Sequence, residues 1–347
     1  MKKTIIRINL ILVVLLAAAA CQRTPALPAE TSEPVPEQES APVVITSENA
    51  ATLKQVYSAS VSTGYISAKW AEDSTEVWIM DSESAALYDS RSGEMTAQFA
   101  PGEDTAVYDV SPDGKTIAYS QDGLEIHLFN IAGQADILSI VPDFPFSNSF
   151  FNTDGTLLGT DSLDDIKIVL WDTASGTETG SLSGFGTAAP VYSAMFGMDG
   201  KTLLWFSRGT VQPMDIATQE MGPTLSHEDF VTAQQISPDG KVIATTAAAT
   251  IGGEYQPVLT LWDADSGEIL RQNAVPSYFS SLAFSPDSGL VAAGTEDGVL
   301  FFSVPHGDEV FHIDSTEAVT SIAFSPDGTQ LITCGDGGTI SIYEVNE

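Results

Sequence analysis

The sequence predicts an all-β fold, a seven-bladed β-propeller with four antiparallel strands per blade and a ring closed by an N-terminal strand. Three observations predict it: a turn motif that returns at a nearly constant interval, the same order of short apolar strands around each copy, and a last copy that stops one strand early.

Self-similarity at a fixed period decides the architecture before any local reading does. Ser-Pro-Asp-Gly occurs intact at 111–114, 237–240 and 325–328, with relaxed copies at 71–74, 152–155, 197–200 and 285–288. The turn aspartates, Asp73, Asp113, Asp154, Asp199, Asp239, Asp287 and Asp327, are separated by 40, 41, 45, 40, 48 and 40 residues, which gives seven copies.

Each copy keeps one internal order. An apolar strand such as 281–285 leads into the turn, a second such as 241–245 leaves it, a third such as 259–263 ends in a Ser-Gly turn, and a fourth follows. Proline presets φ at the second turn position, while aspartate and glycine supply the local hydrogen bond and the permissive backbone. Four short strands in about 40 residues make a propeller blade. The seventh copy ends after its third strand, and residues 52–58 form a spare strand at the other end of the folded part, so they are expected to complete the last blade and remove the exposed edges.

Trp171-Asp172 and Trp262-Asp263 close third strands and precede Ser-Gly turns; Tyr88-Asp89, Phe129-Asn130, Met214-Asp215 and Tyr343-Glu344 are relaxed versions. On these residues the chain resembles WD40-repeat proteins over about 52–345, and the resemblance implies a propeller that binds partners rather than performing chemistry. The family's Gly-His pair before the first strand is approached only by Ser226-His227. That departure implies a divergent propeller and puts the family's buried Asp-His-Ser/Thr-Trp network in question. His227 reads as a remnant of the pair, not as a metal ligand.

Ahead of the repeats, Lys2, Lys3 and Arg7 precede an apolar run from Ile8 to Ala20 that ends in four alanines and Cys21. This layout reads as an export signal over 1–20, and the junction resembles a bacterial lipobox, with Ala18 where the family has leucine. The resemblance implies that Cys21 is lipidated and anchors the chain to the outer face of the cytoplasmic membrane or to the outer membrane. Residues 21–50, with Pro25, Pro28, Pro34, Pro36 and Pro42 among glutamates, read as a disordered tether spanning roughly 30 Å. The propeller then occupies 51–347.

Loss of 1–20 leaves 10 basic against 47 acidic residues. Such a balance argues against nucleic acid, whose binding needs clustered Lys and Arg. Cys334 lies in an apolar strand pattern and reads as a small buried hydrophobe. No nucleophile elbow, zincin motif or phosphate loop occurs, and four scattered histidines do not suggest a transition-metal site. Asp161, Asp164 and Asp165 read as a solvated acidic turn rather than a calcium loop. No enzyme activity and no cofactor are therefore expected, although lactonase-like and quinoprotein-like propellers stand as the catalytic alternative.

The expected partner is an exported protein, or else a glycan, bound by a monomer. Unusually long connections fall at 161–165 and 247–257 between second and third strands, and at 142–148 and 183–189 between blades, all opening on one face. With 274–280 they carry Phe144, Phe146, Phe185, Tyr255, Tyr278 and Phe279, the candidate partner-binding residues. Phe144, Phe146 and Tyr255 lead, because aromatic side chains on scaffold loops are common interface anchors.

Overall fold

A computed structural model describes residues 41–61, 66–102, 104–162, 167–183, 193–207, 209–277 and 279–345. Seven four-stranded antiparallel sheets follow one another along the chain. In the first six blades the four strands are consecutive; blade 1, for example, runs Ser67–Trp70, Glu76–Met80, Ala85–Asp89 and Met95–Phe99. Blade 7 takes three strands from the C-terminal end and its outermost one from Leu53–Ser60. That strand pairs antiparallel with Thr339–Val345, from Leu53 opposite Val345 to Ser60 opposite Thr339. The expected closure is present, its strand one residue later at the start and two longer at the end than 52–58.

The turn motif works as a hydroxyl relay. In blade 5 the Ser237 hydroxyl donates to Asp239 Oδ1 at 2.7 Å and accepts the Val242 N–H at 3.0 Å. Blade 7 repeats this with Ser325, Asp327 and Gln330 at 2.6 and 2.9 Å. The fourth position is left-handed: Gly240 has φ 74°, and Ser74 and Ser288 replace glycine in the relaxed copies yet keep φ 62°. The tight turn therefore outweighs the roughly 1–2 kcal/mol that a left-handed backbone costs a non-glycine residue.

Successive side chains of a strand point to opposite faces, and here both faces are covered by neighbouring blades. Among the described residues the core divides into seven clusters, one at each blade–blade junction. Blade 1 shows the division. Trp78 and Met80 pack toward blade 2 with Ile117 and Tyr119, while Val77 and Ile79 pack toward blade 7 with Ile332 and Ile342. Cys334 shares that last junction, fully buried, and burial pushes its thiol up to about 12.

Toward the centre, Asp109 ties three blades together. Its Oδ1 accepts from Lys69 Nζ at 2.7 Å and its Oδ2 from the Phe151 N–H at 2.9 Å. Residues 42–50, expected to belong to a tether over 21–50, lie in the folded unit. Ile45 is fully buried between blades 6 and 7, its N–H donates to Gly328 O at 2.8 Å, and Ala50–Thr52 form a turn of 3-10 helix. Residues 42–50 thus belong to the propeller because an apolar pair, Ile45 and Ala50, fills a junction that would otherwise be open. Among the described residues no helix is long and apolar enough to cross a membrane.

Candidate partner-binding face

Turns between first and second strands, and between third and fourth, open on one face of the ring. Second-to-third connections and blade-to-blade connections open on the other. Blade 5 departs most from the common length on that second face. Residues 247–257, expected as a loop, are instead strand: Val242–Ile251 pairs with Glu254–Asp263 up to Ile251 opposite Glu254. Gly252 and Gly253 both have positive φ, 63° and 89°, which is what a two-residue hairpin turn of matching twist needs. Each strand has ten residues against six in the blade 6 pair, Leu290–Thr295 and Gly298–Ser303. The hairpin is therefore about 13 Å longer.

Its footing is a buried polar network. Trp262 Nε1 donates to Thr245 Oγ1 at 2.7 Å, and the same hydroxyl lies 2.8 Å from His227 Nε2. The two rings meet edge to face, 5.2 Å between centroids. Burial pulls the His227 pKa down to about 4 against the opposing pull of the Gly209 and Leu225 carbonyls, so the ring is neutral at neutral pH. A neutral ring leaves Nε2 as acceptor for the Thr245 hydroxyl, whose oxygen in turn accepts the hydrogen bond from the indole N–H. The His-Thr-Trp part of the network put in question by the sequence is thus present in blade 5.

His227 also anchors the loop beside the hairpin. Glu228 Oε2 accepts from the Thr250 N–H at 3.0 Å and from its hydroxyl at 2.9 Å. Asp229 accepts the Tyr255 hydroxyl and, at 2.7 Å, the Phe230 N–H. Tyr255 remains 56% exposed and Phe230 45%. Two aromatic side chains therefore stand in solvent, Tyr255 with its hydroxyl held by Asp229 of the adjoining loop and Phe230 with its N–H held by the preceding Asp229.

The other expected residues divide. Phe146 is only 7% exposed and packs with Phe151, Leu158 and Trp171. It seals the junction of blades 2 and 3 and is a core residue, not a surface anchor. Phe144 is half-buried against the same cluster, with Lys167 Nζ 5.1 Å from its ring centroid. Cys21, Phe185 and Tyr278 lie outside the described residues, as does the side chain of Phe279, whose backbone begins a blade 6 strand. Phe230 was not singled out from sequence, because its loop has ordinary length. Its signal is position: three residues after His227, on the connection that the network fixes.

Asp161, expected in a solvated turn, accepts the N–H groups of Ser147 and Asn148 at 2.9 and 2.7 Å and so shapes the 142–148 loop. Asp164 and Asp165 lie outside the described residues. Among the described residues no three His, Cys, Asp or Glu side chains converge as metal ligands.

These features define a WD40-like β-propeller, a rigid ring whose loops suit a protein-interaction scaffold. Residues 272–302 and 308–344 match the family model described as WD domain, G-beta repeat. Each match spans an outermost strand and the three strands of the following blade. The chain is 30% identical over 130 residues to the meiotic recombination protein rec14 of Schizosaccharomyces pombe, covering 37% of this chain and 41% of that protein. It is 29% identical over 144 residues to an uncharacterized WD repeat-containing protein, sll1491, of Synechocystis, 39% of each. To the small ribosomal subunit protein RACK1y of Oryza sativa it is 30% identical over 128 residues, 35% of this chain and 36% of that one. The chain spans less than half the length of these relatives.

Proposed function

We propose that this propeller is an interaction scaffold of the cell envelope, tethered through a lipidated Cys21, that binds an exported protein through the face bearing the long hairpin. The observation that carries the reading is the blade 5 hairpin with its adjoining loop: Tyr255 and Phe230 are exposed, yet Asp229 holds the Tyr255 hydroxyl and the Phe230 N–H, and Glu228 holds Thr250 of the hairpin. Preorganised aromatic anchors lose little conformational entropy on binding, which is where such side chains gain their weight in interfaces.

The test has two arms. Cys21→Ala should move the protein from the membrane fraction to the soluble one, and continued sedimentation would refute the anchor. In the second arm the full chain is crosslinked in an envelope extract and its partner identified. Tyr255→Ser with Phe230→Ser should then weaken capture at least tenfold and leave the urea midpoint nearly unchanged, since exposed substitutions usually shift stability by no more than about 0.5 kcal/mol. Undiminished capture would refute this face, and capture of glycan alone would refute a protein partner.

A further inference from the structure

The opposite face, that of the Ser-Pro-Asp-Gly turns, holds a concavity that the scaffold reading does not use. It lies where the innermost strands end and has a volume of about 640 Å³, within the range of roughly 300–1,000 Å³ typical of ligand pockets. Its wall is apolar: Trp70, Phe151, Phe196 and Phe324 end four of the innermost strands, and turn prolines fill the spaces between them. The wall is also fixed, since Trp70 Nε1 donates to the Ala323 carbonyl at 3.1 Å. Met198 stands at the edge, 44% exposed.

The charged part of the lining is anionic apart from Lys69, and of its carboxylates Asp113 is paired with Lys115 Nζ at 3.5 Å. Glu72, Asp113 and Asp154 border the concavity from three successive blades. Thr156 holds the Asp154 carboxyl below the usual range through its hydroxyl and its N–H. Asp113 also lies below that range: burial works against it, and hydrogen bonds from Ser111 and Lys115 outweigh burial. The cation in the lining, Lys69, is already neutralised by Asp109 at 2.7 Å. An apolar floor under an anionic border complements one kind of occupant, an apolar side chain flanked by cations.

We propose that this concavity is a second docking site, independent of the hairpin face, which takes a protein segment presenting one aromatic or large aliphatic residue between Lys or Arg residues. The apolar residue fills the space against Phe151, Phe196 and Phe324, and the flanking cations reach Glu72, Asp113 and Asp154. The carboxylates set the sign of the partner and steer its approach; removal of the apolar side chain from water holds it.

The test uses the full chain in detergent and a fluorescent peptide, Arg-Lys-Phe-Lys-Arg, followed by anisotropy at low salt. Saturable binding is expected. It should weaken at least tenfold for Arg-Lys-Ser-Lys-Arg and be lost for Glu-Asp-Phe-Asp-Glu. Glu72→Lys and Met198→Lys change exposed side chains and should each weaken binding at least fivefold, while Tyr255→Ser leaves it unchanged. Absence of binding, or equal binding of the phenylalanine and serine peptides, overturns the site. Sensitivity to Tyr255→Ser would assign the peptide to the hairpin face and also overturns it. A change in sedimentation of the protein alone on Glu72→Lys, with peptide binding intact, would make a second copy of the chain the occupant and refute the cationic segment.

Discussion

Blades 3 and 5 end their third strands alike, Trp-Asp before a Ser-Gly turn, and differ in what the tryptophan meets. In blade 5 the indole N–H of Trp262 reaches Thr245, and Thr245 reaches His227. In blade 3 the Trp171 Nε1 is buried and meets no acceptor among the described residues. Thr160, at the place of Thr245 in the repeat, lies 3.2 Å from Ser149 Oγ instead. The two blades also differ at one loop position. Twelve residues before the turn aspartate stand His227 in blade 5 and Pro142 in blade 3, and proline offers no side-chain acceptor. The Trp-Asp signature therefore reports a buried third strand and its turn; the network needs a residue from the preceding connection. Where that residue is present, the adjoining loop and hairpin are tied to the core, and the exposed aromatics of the candidate face stand beside it.

The largest expected effect follows from the His227 charge. The unfolded chain takes up a proton near pH 6.5, whereas the folded ring resists it down to about 4. The contribution is thus fully present above pH 6.5 and is lost as the pH falls from there to about 4, by on the order of 3 kcal/mol. Hydrogen bonds from Thr75 and Thr156 hold the turn carboxylates Asp73 and Asp154 below the usual carboxylate range, so their loss comes at lower pH. Urea unfolding at pH 7.5 and 4.5 should show a steep decline in the native chain and a flatter one in His227→Asn. Parallel declines would mean that the proton goes elsewhere.

Thr245→Val gives a smaller effect and separates the blades directly. It keeps the volume but strands the Trp262 N–H and the His227 ring, at about 1–3 kcal/mol for buried groups left unpaired. Thr160→Val breaks a single hydroxyl pair with Ser149 and leaves Trp171 as it was, so it should cost about 1 kcal/mol or less. Equal costs, measured as urea midpoints at pH 7.5, would show that blade 5 gains nothing from its histidine.

Seven turn aspartates at near-constant spacing were enough to read seven blades, because each turn depends on residues adjacent in sequence, and the closing strand was read from a seventh copy one strand short and a spare strand at 52–58. The blade 5 hairpin was misread as a loop even though its signal was present: Gly252-Gly253 between two runs of residues able to form strands. Phe146 shows the opposite case. Nothing local tells a loop phenylalanine that caps a junction from one that faces water, since the answer lies in blade 3 residues packed against it. Ile45 looked like part of a proline-rich tether for the same reason; its partner, the blade 6–7 junction, is more than 200 residues away in the chain. Local turn chemistry was legible, and long-range burial was not.

The smallest effect tests the comparison most closely, by removing only the indole N–H. Trp262 and Trp171 are buried to nearly the same degree, 5% and 8% exposed, so Trp→Phe removes similar apolar area at both sites and the volume cost largely cancels in the difference. At Trp262 the change also breaks a hydrogen bond to Thr245, worth about 1 kcal/mol net. At Trp171 it removes a buried donor that has no acceptor among the described residues, which offsets part of the volume cost. Trp262→Phe should therefore destabilise by about 1–2 kcal/mol more than Trp171→Phe. In the background of Thr245→Val the Trp262→Phe penalty should shrink to that of Trp171→Phe, because the acceptor is already gone. If Trp171→Phe proves as costly as Trp262→Phe in the native background, the Trp171 N–H has an acceptor of its own, and the two blades differ in the identity of their hydrogen bonds, not in their number.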